Sequence, residues 1–120
     1  NMSLVLVFIL PEVDVIYIPT DNTMANNTET INNIAFPAGI PIIAGEEGIC
    51  SGCGVATLSI RYYDIGYTAG QMAYDVLVNG ADITTMDIKT APQVTKEYNA
   101  DICSQLGITP PDDYVAIETE

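Results

Sequence analysis

Short apolar runs alternate with stretches in which apolar residues recur every three or four positions, and this punctuation sets an order of elements. Residues 13–18, Val-Asp-Val-Ile-Tyr-Ile, are apolar and β-branched and stop at Pro19, which predicts a strand. Beyond Asn22 the positions Met24, Ala25, Thr28, Ile31, Ile34 and Ala35 line one face of a helix of about four turns, closed by Pro37 and Gly39. Residues 40–44 read as a short, fully apolar strand ending in Gly45-Glu46-Glu47-Gly48. A glycine-rich connection over 48–54 leads to a third strand at 55–60.

A second helix is expected from about Asp64, its N-cap, with Ile65, Ala69, Met72, Ala73, Val76 and Leu77 on one face and Asn79-Gly80 as its stop. Gly66 and Gly70 near its start suit close packing against a sheet better than a phosphate cradle. Residues 83–88 alternate like an edge strand, and Tyr98, Ile102 and Leu106 mark a last short helix closed by Gly107. Strand, helix, strand, loop, strand, helix, strand, helix is the grammar of an α/β fold with a mostly parallel sheet and right-handed crossovers. The opening apolar run, residues 2–10, is about half the length of a spanning helix and lacks the basic flank of a secretory signal. Its β-branched content suggests a strand or buried segment, and residues 1–12 stand apart as an atypical apolar segment.

In such sheets ligands collect beyond the carboxyl ends of the strands, where loops and helix N-termini converge. The first strand ends in Thr20-Asp21-Asn22, the second in Glu46-Glu47, and the third in Ser59-Ile60-Arg61-Tyr62-Tyr63. Each cluster also has a structural use. Asp21 or Asn22 can cap the following helix, worth about 1 kcal/mol. Glu46 and Glu47 can form an exposed turn, and the tyrosines can cover a sheet edge. Their coincidence on one rim favours a site.

Charge and composition narrow the chemistry. Three basic residues (Arg61, Lys89, Lys96) face 16 acidic ones, a formal net charge of -13, so nucleic acid and anionic membranes are poor partners. The chain has no histidine, which removes imidazole bases, histidine triads and most zinc sites. Cys50, Cys53 and Cys103 are too few for a disulfide framework. Cys50-Ser51-Gly52-Cys53 lies ahead of a strand rather than at a helix N-terminus after one, so an incidental thiol pair or loop disulfide is favoured over redox or metal chemistry. What remains at the rim is carboxylates, hydroxyls, an amide and tyrosine rings. That set suits a ligand with an ammonium or several donors on an apolar body, such as a free amino acid.

Residues 14–23 (Asp-Val-Ile-Tyr-Ile-Pro-Thr-Asp-Asn-Thr), 40–47 (Ile-Pro-Ile-Ile-Ala-Gly-Glu-Glu) and 56–66 (Ala-Thr-Leu-Ser-Ile-Arg-Tyr-Tyr-Asp-Ile-Gly) resemble the carboxyl-terminal half of ABC transporter substrate-binding proteins. The nearest group is the one associated with tryptophan and other aromatic or hydrophobic substrates, and the likeness runs from about residue 13 to about residue 115. It implies a three-layer Rossmann-like lobe of a type I periplasmic binding protein over residues 13–120, the carboxyl-terminal part of a two-lobed protein. The stretch after Ile60 would then resemble a hinge crossing, with the helix from about Asp64 in the other lobe.

The resemblance further implies a non-enzymatic, extracytoplasmic component of an importer, periplasmic or a cell-surface lipoprotein. Its partners would be a small ligand (an amino acid or relative) and ABC permease subunits, with no cofactor, metal or catalytic residue. The ligand-binding residues carried over are Thr20, Asp21, Asn22, Glu46, Glu47, Tyr62 and Tyr63, with Asp21 facing a ligand ammonium or hydroxyl. An isolated lobe would bind weakly and self-associate through its exposed apolar rim. Three departures stand out: the apolar start, Arg61 where a small or acidic residue is expected, and the cysteine pair. Two other classes fit the residues less well. One is a magnesium-dependent receiver or phosphoryl-transfer domain using Asp21, Glu46 and Glu47, and the other a ligand-free dimerisation module.

Overall fold

The computed structural model describes residues 2–118. The chain divides into two compact units, one of residues 1–59 and 96–120 and one of residues 60–95. In the first, helix α1 (Met2–Ile9) leads through a 3-10 turn (Leu10–Glu12) to β1 (Ile16–Ile18), α2 (Asn22–Ala25), α3 (Thr28–Ala35), β2 (Ile42–Ala44), α4 (Glu47–Cys53) and β3 (Ala56–Ser59). After the excursion of the second unit come β4 (Thr95–Tyr98), α6 (Ala100–Leu106) and β5 (Val115–Ala116), with α5 (Tyr62–Leu77) in the second unit.

The five strands form one sheet in the order β1-β2-β3-β4-β5. Strand β1 pairs parallel to β2 (Ile18 opposite Ala44), β2 parallel to β3 (Ala44 opposite Thr57), and β4 parallel to β5. The Asn99 N–H, just past β4, bonds the Val55 carbonyl, just before β3, at 3.0 Å. That bond ties the carboxyl end of β4 to the amino end of its sheet neighbour β3, so the two run in opposite directions and Glu97 comes opposite Thr57 when counted from this bond. The sheet is therefore mostly parallel, as the element order implies, and the amino end of β4 reaches the rim where β1, β2 and β3 end.

Period-two alternation sorts the side chains. Ile18, Ile42, Ala44, Thr57 and Ser59 are buried, while Tyr17, Ile43 and Leu58 on the opposite face are exposed. The apolar run at 40–44 is thus covered on one face only. The main core joins Ile18, Ile31, Ile42, Ile49, Cys50 and Cys53, and Met2, Leu6 and Leu10 pack onto it. Spacing of four puts Met2 and Leu6 on one face of the helix, with Leu10 following at the start of the 3-10 turn, so the opening run is a helix with no fully buried residue rather than the expected strand or buried segment: packing overrides β-branched propensity. Val55, Ile102 and Cys103 form a second cluster with Phe36, Tyr98 and Leu106.

The continuous helix expected from Met24 to Ala35 is broken. The Asn27 side chain donates to the Thr23 carbonyl at 2.7 Å, a local bond that competes with the helical ladder, and α3 restarts at Thr28. The expected glycine-rich connection is largely α4. There Gly52 lets α4 approach α3, since a Cβ would come within 2.4 Å of Thr28 Oγ1.

In the second unit α5 starts at Tyr62 with Arg61 as its N-cap, two residues before the expected cap Asp64. A Cβ at Gly66 or Gly70 would meet open space, so neither packs closely against the described residues. Asn79-Gly80 ends the helix as expected, with Gly80 at φ +71. Residues 83–88 form no strand. They lie in a turn and an irregular stretch, with Ile83 and Ile88 exposed, and no neighbouring chain pairs with their alternating pattern. Strands β4 and β5 occur instead, β4 in a mostly polar stretch and β5 in two residues only.

Candidate functional site

The loops after β1 and β2 leave the sheet side by side. Gly45 N–H bonds the Ile18 carbonyl at 2.8 Å, and the Thr20 hydroxyl donates to the Gly45 carbonyl at 3.1 Å. A Cβ on Gly45 would lie 2.6 Å from Thr20 N, so only glycine permits this approach. Thr20, Asp21 and Asn22 are thereby brought beside Glu46 and Glu47, all on the carboxyl-terminal rim.

Two of these acids already have work. Asp21 caps α2, accepting from Met24 N–H at 2.9 Å. Glu46 caps α4 with both oxygens, one taking Gly48 N–H at 2.9 Å and the other Ile49 N–H. Asn22 and Glu47 are the exposed first residues of α2 and α4. Arg61, Tyr62 and Tyr63 belong to the other unit, where both tyrosines are exposed on the first turn of α5 and the Tyr63 ring stacks with Tyr67 at 6.4 Å.

Glu97 joins this rim from β4, unforeseen in the sequence. Burial pushes its carboxyl above the ordinary range, the nearby Glu47 charge pushes the same way, and a hydrogen bond with Ser59 offsets part of the rise. Its Oε2 is buried with no hydrogen-bond partner, and so is the Thr57 hydroxyl, on a residue only 1% exposed. Tyr98, expected in the last short helix, lies in β4 instead, and in the sequence only the β-favouring Thr95 and Tyr98 signal this strand. Lys96 points to the opposite face by strand alternation, pairs with Asp113, and lies 5.9 Å from the centre of the Tyr114 ring.

The cysteines are free and buried. Burial pushes the Cys50 thiol up to about 12, with the charges of Cys103, Cys53 and Glu97 adding to it, and burial pushes Cys53 up to about 11. At neutral pH both stay protonated, poorly suited to nucleophilic, redox or metal-binding work. Among the described residues no group of three or more acidic or cysteine side chains is arranged to hold a metal ion. An apolar pocket of about 150 Å³, lined by Met2, Leu6, Ile16, Tyr17, Pro19 and Met24 among others, lies between α1 and β1.

The sequence model of ABC transporter substrate binding proteins matches residues 1–120. The chain belongs to this family. A tyrosine-binding protein of Clostridioides difficile (strain R20291) is 39% identical over 80 residues, covering 63% of this chain and 23% of that protein. The ligand-free, open structure of CD0873, a substrate binding protein with adhesive properties from Clostridium difficile, matches with a TM-score of 0.79 at 30% identity, over 99% of this chain and 41% of that one. An ABC domain from Streptococcus pneumonia in complex with L-Trp matches with a TM-score of 0.79 at 25% identity, over 94% of this chain and 40% of that one. This substrate-binding protein chain thus spans well under half the length of these relatives. Members of the family are extracytoplasmic and are not enzymes, and none of the helices among the described residues is long and apolar enough to cross a membrane.

Proposed function

We propose that this chain is part of the solute-binding component of an ABC importer, periplasmic or held at the cell surface as a lipoprotein, and that it acts without catalysis. Its ligand is an amino acid, aromatic in the favoured reading, taken up in an interlobe cleft of the whole protein and presented to permease subunits. In this reading residues 13–120 supply the carboxyl-terminal part of the two-lobed protein, and the unit over 60–95 belongs to the other lobe.

One observation carries the proposal: two paired parallel strands deliver Thr20-Asp21-Asn22 and Glu46-Glu47 to one rim, in a chain of this family. The tyrosine-binding relative and the tryptophan complex support the ligand class. Thr20, Asn22 and Glu47 offer hydrogen bonds, Asp21 takes a ligand hydroxyl or ammonium with the oxygen its cap leaves over, and Glu46 shapes the rim. Tyr62 and Tyr63 contribute aromatic surface. Binding shifts the population from open to closed forms, and the permease reads the closed one. A thermal-shift screen of the full-length protein against the common amino acids tests this, with selective stabilisation by one or a few as the expected result.

A further inference from the structure

We propose that Glu97 and Glu47, with Ser59 and Thr57 beside them, form the subsite that receives the primary ammonium group of the ligand. The assignment rests on the amino-acid reading above and deepens it, because it moves the charge recognition away from Asp21, the carboxylate that the sequence favours.

Four observations converge. First, Asp21 and Glu46 spend acceptor capacity on helix N-termini, Glu46 with both oxygens. Second, Glu97 keeps one oxygen on Ser59 and has the other buried without a partner. Third, Thr57, opposite Glu97 on β3 and fully buried, likewise lacks a partner for its hydroxyl. A buried polar atom left unpaired is costly, and two of them on one face next to a rim call for a polar occupant. Fourth, Glu97 and Glu47 lie close enough for their charges to repel, while the neighbouring cation, Lys96, faces away toward Asp113.

An ammonium matches this set: it carries three donors and no acceptor, can serve two carboxylates and a hydroxyl at once, and cancels one of two like charges. A ligand carboxylate would be repelled, and a neutral donor would leave the repulsion standing. The subsite therefore selects amines over their deaminated counterparts.

The test uses the full-length protein and three matched pairs: tyrosine, phenylalanine and tryptophan, each against the acid that lacks only the α-amino group. Wild type should prefer the amino acid in at least one pair by roughly 10- to 100-fold, the range of a charge-assisted hydrogen bond in a partly buried site. Glu97→Gln keeps the side chain's shape and should cut that preference by about tenfold or more while leaving affinity for the deaminated acid unchanged or improved. Glu47→Gln, at an exposed position, should give a smaller cut in the same direction and guards against misfolding in the first variant. An undiminished preference in both variants, with loss in Asp21→Asn, would overturn the subsite and leave the amino-acid reading standing. Failure of wild type to bind any member of the pairs would overturn the aromatic reading of the ligand, and the subsite argued from it.

Discussion

Thr20 and Gly45 lock the two rim loops together: the threonine hydroxyl donates to the glycine carbonyl at 3.1 Å, and the glycine leaves no room for a side chain against the threonine backbone. The contact holds the ends of β1 and β2 in the register that places Asp21 near Glu46. Gly45→Ala should therefore cost about 1–3 kcal/mol, since the obstructing atoms are backbone and cannot rotate aside. Urea denaturation measures it, and a change below about 0.5 kcal/mol would mean that the loops part easily.

Asn99 joins three elements. Its amide donates to the carbonyls of Cys50 (3.2 Å) and Ser51 (2.9 Å), its oxygen accepts from Ile102 N–H (3.1 Å), and its N–H bonds Val55. Asn99→Ala removes the α6 cap and the links from α6 to α4, so a loss of about 2 kcal/mol is expected. Asn99→Ser keeps an acceptor for the α6 cap without the links, and should fall between wild type and Asn99→Ala in the same denaturation series.

The buried thiols set an alkaline limit. In the folded protein the thiol of Cys50 is raised from 9.0 to about 12 and that of Cys53 to about 11. The folded state holds protons that the unfolded chain gives up, so stability is fully present below pH 9.0 and falls as pH rises toward 11 to 12. Cys53→Ala should flatten part of that decline, read as Tm against pH. Native protein at pH 7 should also react slowly with a thiol reagent and quickly in denaturant.

Glu97 sets an opposing balance between binding and stability. Its folded pKa is raised, so the folded state is favoured when it is protonated and loses stability as pH climbs through the raised value. Glu97→Gln should accordingly raise the Tm of the ligand-free protein at neutral pH, with the gain fading below the ordinary carboxylate range. A lower Tm at neutral pH would show that the charge is well satisfied without a ligand.

The rim was legible in the sequence because parallel strands ending in Pro19-Thr20-Asp21 and Gly45-Glu46-Glu47 announce themselves through apolar runs and breakers. What stayed hidden depends on contacts distant along the chain. Residues 83–88 alternate as a strand should but lie where no strand pairs with them, while Glu97 sits in a four-residue polar strand that exists because β3 and β5 flank it. Met2, Leu6 and Leu10 become helical because a core surface receives them. Local pattern names the elements that fold on their own propensity, and tertiary pairing decides the rest.

The most direct test of the account is scanning calorimetry of the unfolding of the full-length protein at increasing concentrations of tyrosine, tryptophan and phenylalanine, with magnesium chloride as the competing arm. Saturable binding of at least one amino acid is expected, with about 2.7 kcal/mol of added stability at a hundred times its dissociation constant. Stabilisation by magnesium alone, with no amino acid bound, would contradict solute binding at this rim.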